Sequence, residues 1–183
     1  MSQKEDILEQ IVEEYLTHEG YFVQHNIKYR PLSHRQTRSD IDVLAINPKK
    51  RGVSRVYVVN VKSWQAGFGF RTQMKRTREN KKAMRELMIQ SWANAFCDEI
   101  ERRTGQRRFT YVLAVTKTKQ KEDKHLWTKN ADFKRKLRGN PIIVLCLETM
   151  IKKVLKQTTT TLAATDIGRT IQLFKSANVL KGQ

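Results

Sequence analysis

Two short apolar runs, Ile41 to Ile46 and Val53 to Val61, constrain this chain most, because each carries chemically useful residues where a strand would begin or end. The first is closed by the turn-forming Asn47-Pro48 and by Lys49-Lys50-Arg51-Gly52. The second, with Val56, Tyr57, Val58 and Val59, follows at once. Both are rich in β-branched residues and bounded by breakers, the pattern of strands. Side chains alternate along a strand, so Asn60 and Lys62 project to one side while Val61 goes the other way. Paired as a hairpin, the two strands bring Asp42 beside Asn60 and Lys62 at one end of a sheet. A carboxylate, an amide oxygen and an ammonium would then meet from two short segments. Asp40 alternates with Asp42 and is expected on the same face.

The remaining pattern builds around that pair. Residues 4–18 predict a helix, with Ile7, Leu8, Ile11, Val12, Tyr15 and Leu16 at helical spacing and Gly20 as its stop. Tyr21 to Tyr29 has strand-type residues, and Pro31 with Ser33 to Ser39 makes a basic loop. The loop Trp64 to Phe70 carries two glycines and two phenylalanines; its aromatics can stack on bases, and packing under the next helix is the favoured reading. A long helix is predicted over about 76–103, a buried strand over Phe109–Val115, and a short basic helix over 126–138. A strand at Ile142–Leu147 and helices at 148–156 and 166–180 complete the chain, the last two separated by a run of threonines. Helix, three strands, helix, strand, helix, strand, helices is the order of an α/β fold with a mixed sheet flanked by helices. A single domain spanning 1–183 is expected, with its core in about 4–147 and a helical extension over about 148–180.

Charge narrows the partners. With 36 Lys and Arg against 18 Asp and Glu, the net charge of +18 favours polyanions: DNA, RNA or an acidic membrane surface. No apolar run approaches the roughly 20 residues a bilayer span requires, and the polar start Met-Ser-Gln-Lys-Glu-Asp has no signal-peptide core. An intracellular, cytoplasmic protein without a membrane partner is expected. Cys97 and Cys146 lack any CxxC or Cys/His cluster, which argues against a disulfide scaffold or zinc site. The four histidines lack metal-ligand spacing and are expected at the surface or in loops. Two basic stretches are poor in balancing acids. From them Lys75, Arg76, Arg78, Lys81, Lys82, Arg107, Arg108, Lys117 and Lys119 are predicted to track phosphates.

Phosphodiester hydrolysis needs hard oxygen ligands for magnesium and a nearby cation to position water or stabilise the transition state. An Asp opening one strand, followed by an acid-x-Lys closing the next, resembles the PD-(D/E)XK nuclease superfamily. Here Asp42-Val43-Leu44-Ala45 matches the first motif and Asn60-Val61-Lys62 the second. The resemblance covers roughly residues 5–117. It implies a restriction-endonuclease-like core (α-β-β-β-α-β) with added C-terminal helices. It also implies metal-dependent endonuclease action on DNA with magnesium, manganese being possible in its place. Asp42, Asn60 and the Val61 carbonyl would be metal ligands, with Lys62 acting on the attacking water or the transition state. Glu9 on the first helix would contribute near the metal, with Glu13 one turn later, and a homodimer is a frequent arrangement in such enzymes. One position departs from the pattern: Asn60 stands where the family has an acid, and an amide brings no charge. Three readings are open. Asn60 serves as a weaker ligand; Glu79 or Glu86 on the long helix supplies the missing acid; or the site is degenerate and the protein binds DNA without cutting it. A basic protein associated with RNA is a more distant alternative.

Overall fold

The computed structural model describes residues 6–34, 36–80, 84–158 and 163–180, with backbone alone for 77–80. Helix α1 (Ile7–His18) begins at Asp6, whose carboxylate accepts the Leu8 N–H at 2.8 Å. It buries Leu8, Ile11, Val12 and Leu16 along one stripe. It stops at Gly20, which takes φ +80° while the Tyr21 N–H reaches back to the Leu16 carbonyl, a glycine-dependent helix end.

Five strands follow: β1 (Phe22–Tyr29), β2 (Ser39–Ile46), β3 (Val56–Lys62), β4 (Thr110–Val115) and β5 (Ile142–Cys146). They lie side by side in chain order. The first three are antiparallel neighbours, whereas β3–β4 and β4–β5 are parallel. The sheet is therefore mixed, as the element order predicts. Every residue of β4 is buried, as befits a central parallel strand covered on both faces.

Helices α3 (Arg85–Met88), α4 (Gln90–Thr104), α5 (Lys121–Thr128) and α6 (Ala131–Lys136) cover one face. Leu87, Trp92, Phe96, Ile100, Trp127 and Phe133 pack there against Leu44, Val58, Tyr111, Leu113 and Val144. Helices α1 and α7 (Leu147–Gln157) cover the other face, where Leu8, Val12, Leu16 and Met150 meet Val43, Ala45, Val59, Val61, Val112 and Ala114. Helix α8 (Asp166–Ser176) docks on α1 through a buried carboxylate. Glu14, 1% exposed, accepts the Ala164 and Thr165 N–H groups and the Thr165 hydroxyl. Gly168 makes room for it: a Cβ there would lie 2.2 Å from the Glu14 carboxylate. The C-terminal helices thus complete the second layer.

Two helix predictions need correction. The long helix expected over 76–103 is three pieces, α2 (Phe70–Asn80), α3 and α4. Met84 takes a left-handed conformation (φ 52°), and Ile89 is extended, so the chain turns twice and drives Glu86 and Leu87 into the core. The basic helix expected over 126–138 is also broken. Asn130 accepts the Phe133 N–H and starts α6 afresh, which lets both Trp127 and Phe133 reach one aromatic cluster. Both phenylalanines of the 64–70 loop pack, as favoured: Phe68 is fully buried against Trp127, and Phe70 meets Trp127 and Phe133. Gly67, at φ +86°, lets that loop pass directly over the Lys117 carbonyl.

Candidate active site

Backbone pairing of β2 with β3 ends at Val43 and Val59. Beyond that point the Asp42 carboxylate itself accepts the Val61 N–H at 2.6 Å. Lys62 bends over the same spot, its Nζ 3.0 Å from the Val61 carbonyl and 3.9 Å from Asp42 Oδ2. Burial pushes the Asp42 carboxyl above the usual carboxylate range. The Lys62 ammonium and the Val61 N–H pull it back, and Glu86 and Asp40 raise it further. Val56 and Val58 face the first cluster while Val59 and Val61 face the second, so Asn60 and Lys62 share a side, as alternation predicts.

A kink aims Asp42. On β1, His25 reaches Glu13 of α1 at 3.0 Å, whereas Ile27 and Tyr29 belong to the cluster on the opposite face. Strict alternation would keep 25, 27 and 29 on one side. Asn26 stands between them at φ 55° and flips the strand. The register runs from His25↔Val43 to Ile27↔Ile41, so Asn26 lies across from Asp42. Ile41 and Val43 likewise belong to opposite clusters. The alternation expected between Asp40 and Asp42 is therefore interrupted, and Asp40 forms an ion pair with Lys28 on β1.

Asn60 completes the corner. Its amide nitrogen donates to Glu86 Oε1 at 3.1 Å, while its Oδ1 is buried without a hydrogen-bond partner. Glu86, 2% exposed, also accepts the Tyr111 hydroxyl at 2.7 Å and the Tyr29 hydroxyl at 3.1 Å. Burial first, and the Glu86 carboxylate second, push both phenols far up, so both remain donors. Among the described residues no group of three or more His, Cys, Asp or Glu is gathered to hold a metal. What the corner offers is a mixed oxygen set: the Asp42 carboxylate, the orphaned Asn60 Oδ1 and the Val61 carbonyl, with Glu86 behind. Hard oxygens of this kind suit magnesium or manganese.

A comparison with protein-family models matches residues 4–103 to the nuclease-related domain, more than half of the chain. The chain belongs to the nuclease-related domain family. No curated protein and no solved structure matches it. The matched segment runs from α1 to the last turn of α4 and holds every residue of the corner except Tyr111.

The other predicted site residues are dispersed, some within the nuclease-related domain and Arg107, Arg108, Lys117 and Lys119 beyond its matched segment. Glu9 is half-buried on the first turn of α1, which covers the face opposite Glu86. Lys117 and Lys119 are exposed just beyond β4, whose Val115 pairs with Lys62, so they flank the corner. Lys75 and Arg76 on α2 are exposed at the same end, the Arg76 guanidinium lying over the Trp64 ring. Arg107 and Arg108 precede β4 and so lie at the opposite end of the parallel strands. The Arg78 side chain, Lys81 and Lys82 lie outside the described residues, as does the Glu79 side chain. His18 and His25 are half-buried partners of Glu14 and Glu13 rather than surface groups. Sequence reasoning missed Asn26, Tyr29 and Tyr111. An Asn inside a strand-like run was the one local signal for the kink. Nothing local marks the two tyrosines, which meet Glu86 only through the fold.

Proposed function

We propose that this nuclease-related domain is a divalent-cation-dependent DNA endonuclease with a PD-(D/E)XK-type site. The observation that carries the reading is Asn60 Oδ1, a buried acceptor without a partner, on the residue that the β2–β3 register sets across from Asp42, a carboxylate whose burial disfavours its charge. Buried polar atoms are nearly always satisfied, and an unsatisfied one calls for a missing partner. Asp42, Asn60 and the Val61 carbonyl would hold magnesium, or manganese in its place; Glu9, on the helix that covers the opposite face, is left out of this set. When bound, the cation supplies charge neutralisation at the phosphate.

The chain's own groups do the rest. Asp42 accepts the Val61 N–H, and the Lys62 ammonium donates to the Val61 carbonyl, so the backbone at Val61 is held on both of its peptides. Lys62 has its ammonium within reach of the same corner, where it can orient a water for in-line attack or stabilise charge on the transferring phosphate. Lys75, Arg76, Lys117 and Lys119 would hold the phosphate backbone around it.

A second reading is favoured by the amide at position 60 and by the absence, among the described residues, of a three-acid cluster: a nuclease-like DNA-binding protein that does not cut. Cleavage of supercoiled plasmid and of labelled single-stranded, duplex and branched DNA decides between them. Magnesium, manganese and EDTA would be compared, with Asp42→Ala and Lys62→Ala beside the wild type. Metal-dependent cutting that disappears in both variants is the expected result. Binding retained with no cutting under any metal would leave the second reading.

A further inference from the structure

We propose that Glu86 is a positioning residue that supplies, through the Asn60 amide, the negative charge missing from the second acidic position. The inference rests on the metal-dependent reading above and concerns how its site is charged and oriented.

An Asn side chain can present either oxygen or nitrogen to a cation, and only the oxygen binds one. In this fold the choice is made by Glu86. A carboxylate accepts hydrogen bonds and cannot donate, so the Asn60 nitrogen must face it, as the 3.1 Å contact to Oε1 records. Oδ1 is thereby turned away from Glu86, and it is the atom left without a partner. The Tyr111 hydroxyl shares Oε1 with the Asn60 amide, and the Tyr29 hydroxyl donates to Oε2, so both carboxylate oxygens are fixed. Three donors from β1, β3 and β4 hold one carboxylate, on a helical turn forced inward by the left-handed Met84.

That geometry also has an electrostatic use. Among the described residues no Lys or Arg forms an ion pair with Glu86, although it is 2% exposed. A buried carboxylate supported only by neutral donors is costly unless a cation lies nearby. Hydrogen bonding to Glu86 polarises the Asn60 amide and enriches its oxygen, as outer-shell carboxylates do for metal-bound histidines. Asn60 and Glu86 together would then stand in for one acidic ligand, the amide touching the cation and the carboxylate one bond behind it.

The arrangement predicts reciprocity. Manganese binding by calorimetry and melting in EDTA would be measured for wild type, Glu86→Gln, Asn60→Asp and the double variant. Glu86→Gln should weaken manganese binding by about tenfold or more, as removal of an outer-shell partner does. Asn60→Asp alone sets two carboxylates face to face and should melt below the wild type in EDTA. The double variant exchanges amide and carboxylate, so it should melt above Asn60→Asp alone and bind manganese within about threefold of the wild type. A purely structural Glu86 would lower melting in EDTA when changed to Gln and leave manganese binding by the folded Glu86→Gln protein unchanged. A Glu86→Gln protein that binds manganese as the wild type does overturns the relay alone, as does an Asn60→Asp protein that melts with the wild type. A wild type that binds no manganese overturns the metal-dependent reading and the relay with it.

Discussion

The Asp42 carboxyl is pulled in opposite directions, by its burial on one side and by Lys62 and the Val61 N–H on the other. Burial raises its pKa above the unfolded value, and Lys62 and the Val61 N–H only partly compensate. A raised carboxyl pKa means that the folded state releases the proton later than the unfolded one does. The resulting penalty is absent in acid, grows as pH rises through the ordinary carboxylate range, and is complete above the raised folded value. Asp42→Asn should therefore stabilise the protein in EDTA at pH 7, by on the order of 1 kcal/mol, with the gain fading towards pH 4. The same substitution should abolish cleavage. Melts at the two pH values test the first claim, and an equal difference at both would show that charge is not the cause. Lys62→Met removes the larger of the two compensating influences. It should move the Asp42 titration, followed by NMR in EDTA, to higher pH than in the wild type, because the carboxyl would ionise later; an unmoved titration would show that Lys62 does not hold it down.

At the scale of elements, the kink at Asn26 and the turn at Met84 bring the site together, and both use left-handed residues other than glycine. A β-branched side chain is strained at positive φ, so Asn26→Val should cost roughly 1–3 kcal/mol in urea unfolding, whereas Asn26→Gly should be nearly neutral. If the kink also aims Asp42, Asn26→Val should lower cleavage more than its reduced stability explains, under conditions where the variant is fully folded. The strands were legible because period-2 patterning and breakers report burial directly, and β4, buried along its whole length, reads as an unbroken strand run. Asp42, Asn60 and Lys62 were legible for the same reason, since their meeting depends on two adjacent strands. The continuous helix over 76–103 was misread because nothing in Ala83-Met84-Arg85 or Met88-Ile89-Gln90 carries a Gly or Pro. Tertiary packing of Leu87 and Glu86, not local propensity, breaks it there. Glu86 could be named as a candidate acid, but its bonds to Tyr29 and Tyr111 join residues 57 and 25 positions apart, which no local pattern encodes.

Across the whole molecule, a net charge of +18 overstates how much of the basic surface is free to meet a polyanion. Arg102 and Arg103 pair with Glu99, Arg107 with Glu101, Arg135 and Lys136 with Asp132, and Arg138 with Asp98. Among the described residues no such ion pair takes up Lys75, Lys117 or Lys119, which lie at the end of the sheet that carries Lys62. Arg107 and Arg108 sit at the other end, six β4 residues away, roughly 20 Å of strand. That span exceeds the Debye length of about 8 Å at physiological salt, so charges at one end contribute little to phosphates held at the other. Changing Lys75, Lys117 and Lys119 together to Ala should weaken binding to a short duplex and reduce the slope of log affinity against log salt. The reduction should be roughly one unit for each phosphate that a lysine no longer neutralises. Changing Arg107 and Arg108 to Ala should leave both quantities close to wild type, since Arg107 already has an acidic partner and neither residue flanks the corner. Fluorescence anisotropy across a salt series measures both sets. Equal weakening in the two sets would mean that the nucleic acid runs along the length of the sheet and not across the end where Asp42 and Lys62 meet.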